Sequence, residues 1–235
     1  MKPAARLPRV ATRLSSSFHH RLSLYALAVT AVSAGPLAVT PKAEAKVIYT
    51  PAHVIVGNGG LQRYDLDLNH DGVTDITFET FLGGCTDGCQ ALLDVLLPSG
   101  NRFRGEKAGA GIDYVSALRP GVKIDGSGML DCPSFCEMAA SGTGAYGPGG
   151  KWLNVNNRYL GLRFTINGKN HYGWARLSVA VKPTRVRATL TGYAYETIPN
   201  KRIISGKIKG SNVITAQPGS LGDLARGMGR IRRRE

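Results

Sequence analysis

The segment Asp67-Leu68-Asn69-His70-Asp71-Gly72-Val73-Thr74-Asp75 carries the clearest chemistry in the chain. Asp67, Asn69, Asp71 and Asp75 put oxygen-bearing side chains at loop positions 1, 3, 5 and 9. Gly72 falls at position 6, where such a loop turns sharply, and Val73 at position 7, where a backbone carbonyl serves as ligand. A hard cation such as calcium takes roughly six to eight oxygens around one point, and this spacing offers five. Three aspartates also crowd negative charge that a divalent ion neutralises. The helix-flanked version of the loop ends on a bidentate Glu at position 12. Here that position is Phe78, and Glu79 is one residue late. The expectation is a strand-loop-strand site holding Ca2+ in a structural role, with Asp65 or water completing the shell. The plain alternative is a solvated hairpin turn, which Asp71-Gly72 alone would make.

Cys85-x-x-x-Cys89 and Cys132-x-x-x-Cys136 form two close pairs. In an exported chain an even count reads as disulfides. Three connectivities are open, and cross-linking between the two pairs, which would staple two loops, is the preferred one. A four-thiolate zinc site competes, but its usual spacing has two intervening residues and thiols oxidise outside the cytoplasm.

Signatures of a nucleophile elbow, a zinc protease, a phosphate loop or a dinucleotide site are absent. Beyond residue 45 the histidines are His53, His70 and His171. His70 sits at a non-ligand position of the loop, and His171 opens a strand. Asp94, Asp113, Asp125 and Glu196 have no diagnostic spacing. No catalytic residue and no organic cofactor is assigned, and the chain reads as a non-enzyme. Tyr172, Trp174, Tyr193 and Tyr195 fall on outer strand faces by alternation, where aromatic rings could stack on sugars.

These residues need a scaffold in a particular compartment. Of 235 residues, the first 21 carry Lys2, Arg6, Arg9, Arg13 and Arg21 and no acid. Leu22 to Ala34 is apolar, Gly35-Pro36 breaks it, and Ala43-Glu44-Ala45 gives a small-x-small cleavage pattern. That order is a secretory signal peptide over 1–45, too short in its apolar core for a membrane span. Removing it lowers the formal charge from +14 to +9, and five of the remaining arginines lie in the last ten residues. A patterned nucleic-acid footprint is therefore absent, and no nucleic-acid partner is expected. No transmembrane anchor remains after cleavage.

Lys46–Val56, Arg63–Leu68 and Val73–Thr80 read as strands, the last alternating Ile76 and Phe78 with Thr77 and Glu79. Residues 81–150 read as irregular, with Cys89 to Leu97 either a short helix or a buried strand. In Arg158 to Ile166, Leu160, Leu162, Phe164 and Ile166 share a face, and Asn167-Gly168 signals a hairpin. In the next strand Ala175, Leu177, Val179 and Val181 share a face. Lys182-Pro183-Thr184 turns the chain into Arg185 to Tyr195, with Val186, Ala188, Leu190 and Ala194 on one side. Ile203 to Ile208 is a candidate last strand. The expected fold is all-β: an antiparallel β-sandwich, jelly-roll or lectin-like, with long Gly-rich loops over 46–209. Residues 210–235 read as a flexible basic tail.

Tyr159-Leu160-Gly161-Leu162-Arg163-Phe164, His171-Tyr172-Gly173-Trp174-Ala175-Arg176-Leu177 and Gly192-Tyr193-Ala194-Tyr195-Glu196-Thr197 resemble a core found in bacterial exported proteins of the PEP-CTERM-sorted type. The resemblance covers about residues 155–206, and the upstream DLNHDGVTD loop is also typical. It implies a secreted β-protein and carries over no catalytic residue. The tail departs from the pattern: Asp223, Arg226 and Arg230 interrupt its apolar stretch, making it a degenerate relative of the sorting signal. The functional expectation is a secreted, calcium-stabilised, non-catalytic structural or adhesive protein, extracellular or at the cell surface. Its partners would be extracellular polysaccharide or cell-surface components. A carbohydrate-binding module is the second reading and a polysaccharide hydrolase the third.

Overall fold

The structure is a computed structural model and describes residues 45–57, 61–83, 90–107, 113–132, 136–142 and 148–216. The expected signal segment up to residue 44, Cys85, Cys89 and the tail from residue 217 lie outside the described residues. The strands are β1 Val47–Val56, β2 Gln62–Leu66, β3 Ile76–Gly83, β4 Gln90–Leu96, β5 Arg102–Lys107, β6 Asp113–Val115 and β7 Lys123–Ile124. They continue with β8 Met129–Leu130, β9 Cys136–Ala140, β10 Val155–Ile166, β11 Lys169–Lys182, β12 Arg185–Glu196, β13 Ile203–Ile204 and β14 Val213–Thr215. No helix occurs among the described residues.

The all-β expectation holds. Of the Cys89 to Leu97 segment, Gln90–Leu96 forms a strand, and the segment expected to be irregular contributes β4 to β9. Eleven of these strands run in one hydrogen-bonded path, β14-β1-β12-β11-β10-β5-β6-β9-β4-β3-β2, which curls into a half-barrel; β8 pairs with β5 beside it, and β7 and β13 form a separate two-stranded sheet. The corner is β5. Arg102 and Phe103 pair with β10, whereas Gly105 to Lys107 pair with β6. Gly105 makes this bend: a Cβ there would lie 2.3 Å from the Phe103 ring and 2.9 Å from the Tyr114 carbonyl oxygen. The sheet is mixed and not purely antiparallel, because β1–β14 and β6–β9 pair in parallel. The first of these draws Val213–Thr215 onto β1, so the ordered domain runs past the expected boundary at 209.

The hairpin at Asn167-Gly168 forms as expected, with φ of 49° and 73°, the mirror-image turn that matches strand twist. Leu160, Leu162, Phe164, Ala175, Leu177 and Val179 enter the main core, packed against Phe78, Leu93 and Val95 from the other half of the sheet. A smaller core around Trp174, Tyr159, Tyr172 and Ile124 covers the opposite face.

One expectation fails inside β12. Val186, Ala188 and Leu190 face the main core, but Ala194 belongs to the smaller one. The register slips between Leu177–Leu190 and Arg176–Gly192, leaving Thr191 as an extra residue. A one-residue bulge inverts every later side chain. The matching slip between Pro51 and Val54 on β1 does the same there: Val47 and Tyr49 join the smaller core, while Val54 and Val56 meet the main one. The bulge thus turns Tyr193 and Tyr195 towards the main core, under the 67–75 loop.

Candidate functional site

Leu66 and Ile76, paired at the ends of β2 and β3, hold the two ends of the Asp67–Asp75 loop. The Asp75 amide donates to the Leu66 carbonyl at 2.9 Å and closes it. Leu68 dips out of the loop into the main core and is fully buried. Its methyl group occupies the space above Gly173, where a Cβ would lie 2.9 Å from it.

The aspartates organise the loop backbone. Asp67 Oδ1 accepts from the amides of His70 at 2.6 Å and Asp71 at 3.3 Å, and its Oδ2 from Gly72 at 2.8 Å. Asp71 Oδ1 accepts from the Val73 amide at 2.9 Å. Its Oδ2 accepts from the Asn69 side-chain amide at 2.7 Å. Gly72 takes the expected sharp turn at φ 87°. Asp75 is only 4% exposed, and its Oδ2 accepts from the Leu68 amide at 2.8 Å. Burial pushes its carboxyl up from 3.8 to about 7; the Leu68 amide opposes that, and the charges of Asp67 and Asp71 add to it.

The five sequence-selected positions, Asp67, Asn69, Asp71, Val73 and Asp75, therefore share one tight turn, and three of their carboxylates feel each other. Among the described residues no three acidic, His or Cys side chains already converge as a ligand group; Asp67 and Asp71 are turned to the loop's own amides. One observation fits a cation. Asn69 Oδ1 is buried with no donor, at loop position 3. A buried acceptor left alone costs on the order of 1–3 kcal/mol, which a hard cation would remove. The donors are all oxygens, as calcium requires.

His70, at φ 61°, leaves the loop and reaches the sheet. Its Nε2 lies 3.4 Å from the Thr50 hydroxyl and 3.3 Å from the Tyr193 hydroxyl. Tyr193 is pushed up to about 12, by burial first, then by Tyr64 and Asp67, against a hydrogen bond with Thr50. Tyr195 is raised by burial and by Asp67, Asp71 and Asp75. The loop thus sits directly on these tyrosines.

This corrects the expectation of outward aromatic rings. Tyr193 is buried by the bulge, and Tyr195 is half-buried beneath the loop. Tyr172 and Trp174 do point the other way, but the smaller core covers them. Trp174 lies edge-on to Tyr159 at 5.1 Å and beside Tyr49 at 5.9 Å. None of the four is a free stacking platform.

Cys132 and Cys136 bond to each other, across a Cα separation of 5.9 Å. This corrects the preferred link between the two pairs. The short span from the end of β8 to the start of β9 brings the two together locally. Bonded sulfurs are not thiolates, so the four-thiolate zinc reading also fails. His171 is buried, with Nδ1 2.9 Å from the Glu196 carbonyl and its ring beside Phe164, a packing role. Glu196 is buried too, accepting from the Ile198 amide at 3.1 Å and facing Lys201 at 3.6 Å.

Sequence reasoning missed a row of acids. Glu79, Asp94 and Glu137 are directly opposite one another on β3, β4 and β9. Asp94 is 6% exposed and is raised to about 7 by burial, then by Glu137 and Glu79. Their separation along the chain hides the row; only strand register shows it. Comparison with protein-family models, with curated proteins and with solved structures returns no match.

Proposed function

We propose that the chain is an exported, non-catalytic β-domain, sandwich-like in its facing halves, that serves as a structural or adhesive component outside the cell. The 67–75 loop is its calcium site. The observation that carries this reading is the buried, donorless Asn69 Oδ1 inside a turn that also gathers the Asp67, Asp71 and Asp75 carboxylates. Export is supported by the basic, apolar, small order of residues 1–45 and by the resemblance that spans β10, β11 and β12. The packing roles of His171 and Glu196 support a non-catalytic domain.

The ion would act on stability, because the loop is docked through Leu68 into the core and through His70 onto β1 and β12. A ligand that binds only the folded chain at a hundred times its dissociation constant adds about 2.7 kcal/mol. For a domain of this size that raises the Tm by roughly 5–10 °C. Differential scanning calorimetry in millimolar calcium and in EDTA tests this. Asp71→Ala should keep the fold and lose the rise. Equal Tm values with and without calcium would sink the reading.

A further inference from the structure

A second concave site lies away from the loop, at the β5 corner. It is a cleft of about 490 Å³ between β5, the segment after β6 and the start of β10. Its charged lining is Arg104, Arg119, Lys151 and Arg158 against the single acid Glu106. Lys151 and Glu106 satisfy each other at 3.2 Å. Arg104 is turned to the Ser127 carbonyl and hydroxyl. The guanidinium groups of Arg119 and Arg158 make no hydrogen bond or ion pair among the described residues.

The backbone sets these two arginines together. Leu118 and Tyr159 form an isolated antiparallel bridge, with N–O distances of 2.9 and 3.0 Å. In antiparallel order the next residues are Arg119 on one side and Arg158 on the other. The Ser205 hydroxyl donates to the Arg119 carbonyl at 2.7 Å and fixes that segment. Like charges facing across a strand pair are destabilising, so the arrangement leaves a repulsion that a bound oxyanion relieves. Two planar guanidinium forks suit carboxylate recognition in particular. The register slip between Val155 and Arg158 lets both line the cleft, setting an apolar wall, with Leu118, beside the charge. The volume lies within the usual range for small-molecule sites and exceeds what one inorganic anion fills.

We propose that this cleft binds a carboxylate-bearing oligosaccharide, one or two uronate residues of an acidic glycan, with Arg119 and Arg158 holding the carboxylates. The site is separate from the ion loop and draws on the exported reading only for its polysaccharide partner. Isothermal titration of the full chain in EDTA and low salt, using a galacturonate trimer, tests it. The trimer should bind, weaken as salt rises, and lose at least tenfold in affinity in the Arg119→Ala/Arg158→Ala double variant. Arg119→Glu, at an exposed side chain that cannot disturb the core, should lose at least as much. Asp71→Ala should bind normally, which separates this test from the calcium test. No binding, or equal binding by the variants, overturns the proposal. So does equal affinity for a neutral galactose trimer, for inorganic phosphate or for oligo-dT, which mark respectively a charge-blind site, a single-anion site and a general polyanion surface.

Discussion

Asp75 and Asp94 are two buried aspartates in different halves of the ion question. Both carboxyls are raised from 3.8 to about 7, with burial as the first cause and two neighbouring acids adding to it. Their surroundings differ. The neighbours of Asp75 come from its own loop, the Leu68 amide donates to it, and Asn69 presents a free buried acceptor nearby. The neighbours of Asp94 come from the strands on either side, and it accepts no hydrogen bond among the described residues. Beyond Glu79 the row ends on Arg63, which pairs with it, and beyond Glu137 on Tyr114. A turn of hard oxygens offers a cation donors from neighbouring residues. A row fixed by β register relieves its crowding by holding a proton, as the raised Asp94 carboxyl indicates. The same carboxyl value therefore arises in a turn of oxygen donors in one place and in a buried row of facing acids in the other.

The largest effect that separates them is on pH dependence. A carboxyl raised in the folded state holds a proton, between 3.8 and about 7, that the unfolded chain has already released. Stability from Asp94 is therefore present at low pH and lost as pH rises through about 7. The shift bounds its share at about 4 kcal/mol over the whole titration, of which roughly 2.6 kcal/mol falls between pH 5 and 8. Urea unfolding of the calcium-free protein should show stability falling over that interval. Asp94→Asn should make the fall shallower and be more stable than wild type at pH 8, while the comparable share of Asp75 and that of Glu137 persist. A slope unchanged in Asp94→Asn would mean that the row carries no stored repulsion.

Next in size is the pin that ties the loop to the core. Leu68 is fully buried over Gly173. Leu68→Ala removes its methyl groups from a space the backbone cannot fill and should cost about 3 kcal/mol. Equilibrium unfolding should show that loss together with a smaller calcium-induced rise in Tm. The pH dependence attributed to the acid row should be untouched. A variant that loses stability but keeps the full calcium response would uncouple the loop from the core.

What could be read from the chain follows the same divide. The turn that gathers Asp67, Asn69, Asp71 and Asp75 was legible because these residues lie at alternate positions within nine residues around Gly72. The β10–β11 hairpin was legible because Asn167-Gly168 sits between two clean alternations. The parity of β12 was not, since one extra residue at Thr191 moved Ala194, Tyr193 and Tyr195 to the faces opposite those expected. The Gly in the middle of that strand, Gly192, and Pro51 across from it were the available signals of a bulge. The acid row and the paired arginines had no local signal. Glu79, Asp94 and Glu137 meet only through strand register, and Arg119 meets Arg158 only through a single bridge.

The smallest predicted effect probes how far the row extends. Arg63 is on β2, two strands from Asp94, and pairs with Glu79 between them. Two strand spacings are about 9.6 Å, close to the distance over which roughly 0.1 M salt screens a charge. The Arg63 side chain is 60% exposed, so its pair contributes at most about 1 kcal/mol to stability. Arg63→Ala leaves three facing carboxylates with no cation at that end. It should move the Asp94 titration upward by a few tenths of a unit, read by NMR of the carboxyl carbon in low salt. In 1 M salt, where screening acts within about 3 Å, the difference from wild type should vanish. A shift that survives high salt would come from rearranged packing and not from the missing charge. No shift in low salt would confine the coupling to Glu79, Asp94 and Glu137, with Arg63 outside the row.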